Sequence, residues 1–460
     1  MIHENVQSLN DAIAKGGSAA IDDLAYTAVF SGDATAKAEA RKQIHTLARR
    51  SGAVSSSIFP LYTAIGRGEV RSFTVPAFNI RALTYDSARA LFRAAMRHDV
   101  GAFIFEIARS EIGYTEQRPA EYAACVLAAA LREGYRGAVF IQGDHFQASA
   151  KKWATDEGKA AETKALESLI DEAIAAEFYN IDIDTSTLVN LDFETRDEQQ
   201  RANYEGTAHL TKYIRARQPK GMTISVGGEI GEVGKYNTQP DEVRAYMDGL
   251  TRLLGGETGI AKISVQTGTS HGGVPLADGT IAQAKIDFDV LREVTEICRN
   301  EYHVAGSVQH GASTLPESTF NRFPEATAVE IHLATGFQNM VLDAPSLPAS
   351  MKEEIRQFCF DNCADERKSG ETDEQFVYKT RKKAIGPFKR RMWELNDESK
   401  QPIIKDLEAK FEFLMEKLGV FNTKSIVEKY VPAASSALPE YAAASAELTA
   451  SATVDPNEGE

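Results

Sequence analysis

The sequence predicts an α/β chain in which a (β/α)8 TIM barrel carries N-terminal and C-terminal helical extensions. Eight short runs rich in Val, Ile and Phe lie at residues 73–80, 102–108, 138–143, 179–184, 222–228, 260–266, 303–308 and 328–333. Longer amphipathic stretches separate them, and eight strand–helix units over this length are what a TIM barrel requires. Polar residues suited to chemistry gather where the runs end. A doubly wound open sheet produces a similar alternation, and the count of eight favours the barrel.

Residues 1–71 read as an N-terminal helical extension: positions 36–50 are rich in Ala, Lys, Arg and Glu, and 58–65 form an apolar run. Residues 72–347 are the expected barrel, with helices over 86–97, 120–132, 162–176, 200–217, 241–254 and 287–300, each polar on one face. Residues 348–431 form a charged, helical C-terminal extension. There Leu407, Phe411, Leu414 and Leu418 are spaced like one helix face, as packing or an oligomer contact demands. Residues 432–460 are rich in Ala and Ser and lack the apolar content to fold alone, so a disordered tail is expected.

The chain is 43% hydrophobic and 25% charged, the composition of an ordinary globular protein able to bury a large core. Its net charge of -15 argues against a nucleic-acid surface, which needs clustered Lys and Arg. Four cysteines in 460 residues make no disulfide framework, and Met1 to Asn10 lack the pattern of a signal peptide, so a cytoplasmic location is expected. No apolar stretch approaches the roughly 20 residues that span a bilayer, and no membrane role is expected.

Asn79, Asp144, His145, Asp184, Glu229, His271, His310 and Thr335 stand where the apolar runs end. In a barrel those positions form one rim, the face on which barrel active sites sit. His145, His271 and His310 follow barrel strands three, six and seven, each with Gly within a few positions. Three imidazoles leaving an open coordination position are a catalytic arrangement for a divalent metal. Gly272, Gly311, Ser313 and Thr335 offer backbone N–H groups and hydroxyls that suit a phosphate.

The segments Val75-Pro76-Ala77-Phe78-Asn79, Gly143-Asp144-His145, Gly228-Glu229-Ile230-Gly231, Ser270-His271-Gly272, His310-Gly311-Ala312-Ser313 and Ala334-Thr335 resemble, in order, the motifs of class II fructose- and tagatose-bisphosphate aldolases. The resemblance implies that His145, His271 and His310 hold a catalytic Zn²⁺, or another divalent transition metal, with Glu229 near a second metal position. It implies that Asp144 is the acid/base group facing the oxygen on the carbon released as aldehyde. Gly272, Gly311, Ser313 and Thr335 would hold the phosphate of the dihydroxyacetone-phosphate half, while Asn79, Asp184 and His332 would line the substrate. The metal would act as a Lewis acid on the enediolate left by cleavage between C3 and C4. A small phosphorylated sugar is the implied partner, and a homo-oligomer, dimer or tetramer, the implied assembly.

The match departs from the family pattern at three places. The Gly-Gly-Glu-Glu-Asp type of loop that supplies a proton-transfer group is replaced by Glu232-Val233-Gly234-Lys235-Tyr236-Asn237, with Glu232 as the substitute carboxylate. The asparagine of the eighth strand is His332, and the second strand reads Glu106-Ile107-Ala108-Arg109-Ser110 where a serine-bearing phosphate motif is common. These changes leave three readings open: an aldolase, a ketose C4-epimerase working by retro-aldol and re-addition, or a barrel that binds metal and sugar phosphate without catalysis. The basic groups Arg381 to Lys383 and Lys389 to Arg391 read as a solvated helix face.

Overall fold

The computed structural model describes residues 17–231, 236–268, 286–431 and 441. Nine strands are present among them: β1 (Ala53–Ser55), β2 (Val75–Asn79), β3 (Ile104–Ala108), β4 (Gly137–Gln147), β5 (Asn180–Asp184), β6 (Ser225–Glu229), β7 (Lys262–Val265), β8 (Ser307–Gln309) and β9 (Glu330–Leu333). From β2 to β9 each strand pairs in parallel with the next, and β9 pairs back onto β2 through Ala77 opposite His332, so the sheet closes. This is a (β/α)8 TIM barrel. The eight apolar runs are its eight strands, which are buried on both sides because helices wrap the outer face.

All six expected barrel helices are found, as Thr84–Arg97, Pro119–Glu133, Asp156–Ala175, Arg196–Arg217, Pro240–Leu254 and Phe288–Tyr302. Their starts are chemically marked. Thr195 accepts from the Glu198 N–H while the Glu198 carboxylate returns to Thr195, and Pro119 and Pro240 open their helices where no N–H is needed.

The N-terminal stretch departs from the all-helical expectation. Helices Ser18–Phe30 and Ala34–Ser51 are followed by β1, which pairs with the start of β4, Val54 opposite Ala138. Gly52 makes the turn between helix and strand with φ 91°, a left-handed conformation that suits glycine. Nor is this arm peripheral. The Ile58 N–H donates to Asn180 Oδ1 at 2.9 Å and the Ser225 N–H to Ser57 Oγ at 3.0 Å, so the chain after β1 crosses the N-terminal ends of β5 and β6. Helix Phe59–Gly66 then lies under the barrel and sends the Tyr62 hydroxyl to Glu330, the first residue of β9. An added Cβ at Gly66 would stand 2.6 Å from the His303 carbonyl oxygen, a fit that only glycine allows.

At the other end of the chain, helix Asp397–Lys417 packs against helix Thr84–Arg97. Leu407, Phe411, Leu414 and Leu418 are all buried, with the Phe411 ring 5.3 Å from Phe78 and 5.0 Å from Phe337. The apolar face seen in the sequence is thus intramolecular packing. The basic turn Arg381–Ala384 corrects another expectation. Arg381 pairs with Asp343 and Asn339, Lys383 pairs with Glu366 at 2.5 Å, and Lys382 stands over the Tyr114 ring. These groups are half-buried. Burial and the neighbouring Arg81 charge lower the Lys382 pKa to about 7. Of the segment expected to be a disordered tail, Tyr441 alone is described; it is buried and stacks on His45 at 3.7 Å. The rest lies outside the described residues.

Candidate active site at the C-terminal rim

The site begins with a defect in one strand. Between Gly143 and Phe146 the register of β4 against β5 shifts, and His145 adopts φ 39°. A bulge of this kind re-aims side chains. His145 Nδ1 comes to lie 3.0 Å from Asp184 Oδ2 at the end of β5 and 3.0 Å from Glu229 Oε2 at the end of β6. Asp144 stays buried on the same rim, 3.8 Å from His145 Nε2. His310, just past β8, packs its ring 4.2 Å from that of His145 and sets Nε2 2.8 Å from Ser264 Oγ.

The Asp184 carboxylate is itself fixed. Its Oδ1 accepts from the Ser186 N–H at 3.0 Å and hydroxyl at 2.7 Å, and its Oδ2 accepts from Gln147 at 2.6 Å. Burial opposes its charge, but these bonds and His145 prevail and hold the Asp184 pKa below the usual carboxylate value. Glu229 goes the other way, pushed up to about 7 by burial and by the neighbouring Asp184 charge. Burial disfavours a charged His145, yet Asp144 and Glu229 outweigh it and raise its pKa well above the usual value.

His145, Glu229 and His310 bring ligand atoms within 4.8 Å of one another, and Asp144, His310 and His332 do the same. Imidazole with carboxylate, buried at a barrel mouth and rich in negative charge, is a donor set that fits a divalent transition metal. His271, Gly272 and Glu232 lie outside the described residues.

The loops after β8 and β9 are locked together. Ser313 Oγ accepts from the Gly336 N–H at 3.0 Å, and an added Cβ at Gly336 would meet the Ser313 carbonyl oxygen at 2.6 Å. Gly311 has φ 67° and Thr335 opens helix Thr335–Leu342. Asn79 donates to Glu111 at 2.7 Å, within a buried cluster that also ties Arg81 to Glu111 at 2.5 Å and to Gln338 at 3.1 Å.

His332 points into the barrel. Its Nδ1 is 3.1 Å from both Asp144 and Glu106, and its Nε2 is 2.6 Å from Glu330. Below it, Lys262 Nζ contacts Glu330, Asp182 Oδ2 at 2.9 Å and Gln142 Oε1 at 2.8 Å, while Gln142 reaches Glu106 at 3.1 Å. Glu106, Gln142, Asp182, Lys262 and Glu330 form a polar barrel interior that the reading of strand ends overlooked. The signal was available: Asp182 with Asp184, and Glu330 with His332, recur every second residue inside apolar strands and therefore share one face.

Residues 63–398 match the family model described as fructose-bisphosphate aldolase class-II. The chain belongs to that family. Several solved structures are similar to this class II aldolase family member. A fructuronate-tagaturonate epimerase from Cohnella laeviribosi shares 12% identity at TM-score 0.51, covering 84% of this chain and 86% of its own. A probable tagatose 6 phosphate kinase from Sinorhizobium meliloti 1021 shares 15% identity at TM-score 0.50, with 83% and 99% covered. A fructose-bisphosphate aldolase from Campylobacter jejuni shares 17% identity at TM-score 0.47, with 81% and 96% covered. At such identities the first two likenesses concern the fold. No curated protein matches the chain. Among the described residues no helix is long and apolar enough to cross a membrane.

Proposed function

We propose that the protein catalyses metal-dependent, reversible aldol cleavage of a phosphorylated ketose, such as fructose 1,6-bisphosphate, to dihydroxyacetone phosphate and an aldehyde. The observation that carries this reading is the convergence of Asp144, His145, Glu229 and His310 on one rim of a barrel of the class II aldolase family. His145 and His310, with His271 and Glu229, would hold the metal, for which Zn²⁺ is the first candidate. When bound, the metal supplies Lewis-acid stabilisation of the charge that develops at the ketose C2 oxygen.

The chain's own groups do the rest. Asp144 takes the proton of the C4 hydroxyl as the C3–C4 bond breaks; the bonding pair stays with C3 and the aldehyde leaves from C4. General base catalysis of this kind is worth about 10² to 10⁴ in rate. A second proton must reach C3 to complete dihydroxyacetone phosphate, and Glu232 is the proposed donor. The locked loops carrying Gly311, Ser313 and Thr335, with Gly272, would bind the phosphate, and Asp184 orients His145.

A second reading, C4 epimerisation, is favoured by one feature: His332 sits against Asp144 where the family pattern has asparagine. A basic side chain beside the proton-moving carboxylate suits a reaction that must return the proton to the same oxygen after the aldehyde turns over. The experiment is an assay of Zn²⁺-loaded protein with fructose 1,6-bisphosphate and tagatose 1,6-bisphosphate, following triose phosphate and hexose isomers together. Triose phosphate release lost in His310→Ala supports the aldolase. Isomer exchange without release replaces it with the epimerase, and metal binding with no turnover of either sugar counts against both.

A further inference from the structure

The barrel interior holds a line of buried charged groups from floor to rim. Tyr62 on the floor helix meets Glu330; Glu330 meets both Lys262 and His332; His332 meets Asp144. Every member is under a tenth exposed, and Glu330 is fully buried. A TIM barrel interior is ordinarily filled by branched apolar side chains, so a charged column there is costly unless each member is paired. Here each is.

The pairing has a direction. His332 has Asp144 and Glu106 on Nδ1 and Glu330 on Nε2, so its ring can rotate only by giving up three charge-assisted contacts. Glu330 is in turn held by Lys262, whose ammonium also binds Asp182 and Gln142. On the rim, Asp144 stays in register with Ala108 of β3 but follows Gly143 at the β4 bulge, where the ladder with β5 is interrupted and gives its carboxylate no support from that side.

We propose that His332 is a positioning residue for Asp144, and that Glu330 and Lys262, reaching up from the barrel floor, lock His332 in the orientation that aims the Asp144 carboxylate at the substrate hydroxyl. This rests on the acid/base role proposed for Asp144. It gives His332 a different task from the substrate contact expected of the eighth-strand position. It also links the floor helix to the chemistry.

The test is a set of four variants, His332→Leu, His332→Asn, Glu330→Gln and the double variant His332→Leu/Glu330→Gln, with kcat, KM, bound Zn²⁺ and thermal midpoint measured for each. His332→Leu removes the contacts to Asp144, Glu106 and Glu330 and lowers kcat about 100-fold, the lower end of an acid/base contribution, with KM nearly constant and Zn²⁺ stoichiometry retained. His332→Asn keeps an N–H near the Nδ1 position but not the Nε2 contact to Glu330, and recovers part of that loss, a rescue that a purely structural role would not give. Adding Glu330→Gln to His332→Leu lowers kcat no further, because Glu330 acts through His332. A loss carried by KM would return His332 to substrate binding, and additive losses in the double variant would separate Glu330 from it; either overturns the proposal. Should His332→Leu fail to fold, Glu330→Gln decides instead: loss of the lock lowers kcat at nearly constant KM, and an unchanged kcat or a loss carried by KM overturns the proposal. Should the wild-type protein turn over no ketose phosphate, the acid/base reading fails on its own. The inference is then read from ¹⁵N spectra of the histidine rings: His332 signals that shift in both Asp144→Asn and Glu330→Gln uphold the contact chain, and unmoved signals overturn it.

Discussion

Asp184 holds His145 in place: its Oδ2 lies 3.0 Å from His145 Nδ1, while its own orientation is fixed by Ser186 and Gln147. Carboxylates that orient a ligating histidine tune metal affinity without binding the metal. Replacing Asp184 by Asn should therefore weaken Zn²⁺ affinity by about 10- to 100-fold and leave the fold intact, as read by chelator competition and circular dichroism. Unchanged affinity would remove Asp184 from the support of the site.

Lys262 is the only cation among the described groups that contact Asp182 and Glu330 by ion pairs apart from His332. Removing one partner of a buried pair leaves uncompensated charge, at a cost of about 3–5 kcal/mol. Lys262→Met should lower unfolding free energy by that amount in urea titration. A loss below about 1 kcal/mol, the range of an exposed pair, would mean that the interior is better hydrated than the structure indicates.

The N-terminal helix Ala34–Ser51 is tied to the barrel by Glu177, which pairs with His45 at 3.0 Å and Arg49 at 2.5 Å. Burial opposes the Glu177 charge, but His45 and Arg49 outweigh it and hold its pKa below the ordinary value. A carboxylate with a depressed folded-state pKa contributes stability that is fully present above its unfolded pKa, about 4.3, and is lost as pH falls through the folded value. Wild type should thus exceed Glu177→Gln in stability at pH 6, and the gap should shrink steadily below about pH 4. A gap that is constant from pH 6 to pH 3 would refute the charge-based account.

Much of the fold and part of the rim were legible in the sequence. Parallel strands covered on both faces must be apolar, so the runs that became β2 to β9 announced themselves, and Asp144, Glu229 and His310 stood out as polar residues where those runs stop. The three-residue β1 carries too little pattern to be seen, since it exists only because it can pair with the start of β4. The bulge that turns His145 toward Asp184 is a matter of register between distant strands, which local composition does not encode. The interior charges were legible only in part: Glu330 shares a strand face with His332, but that Lys262, Glu106 and Glu330 face one common interior appears only when the barrel closes.

A site that stabilises a carbanion at C3 of dihydroxyacetone phosphate must also exchange a C3 hydrogen with solvent, with no aldehyde partner needed. Zn²⁺-loaded protein is incubated with dihydroxyacetone phosphate in D₂O, and deuterium at C3 is followed by proton NMR, with His310→Ala alongside. One deuterium is expected at a single prochiral position with the wild-type protein, and none with His310→Ala. Wild-type protein that binds both Zn²⁺ and dihydroxyacetone phosphate yet incorporates no deuterium would rule out carbanion stabilisation at this site.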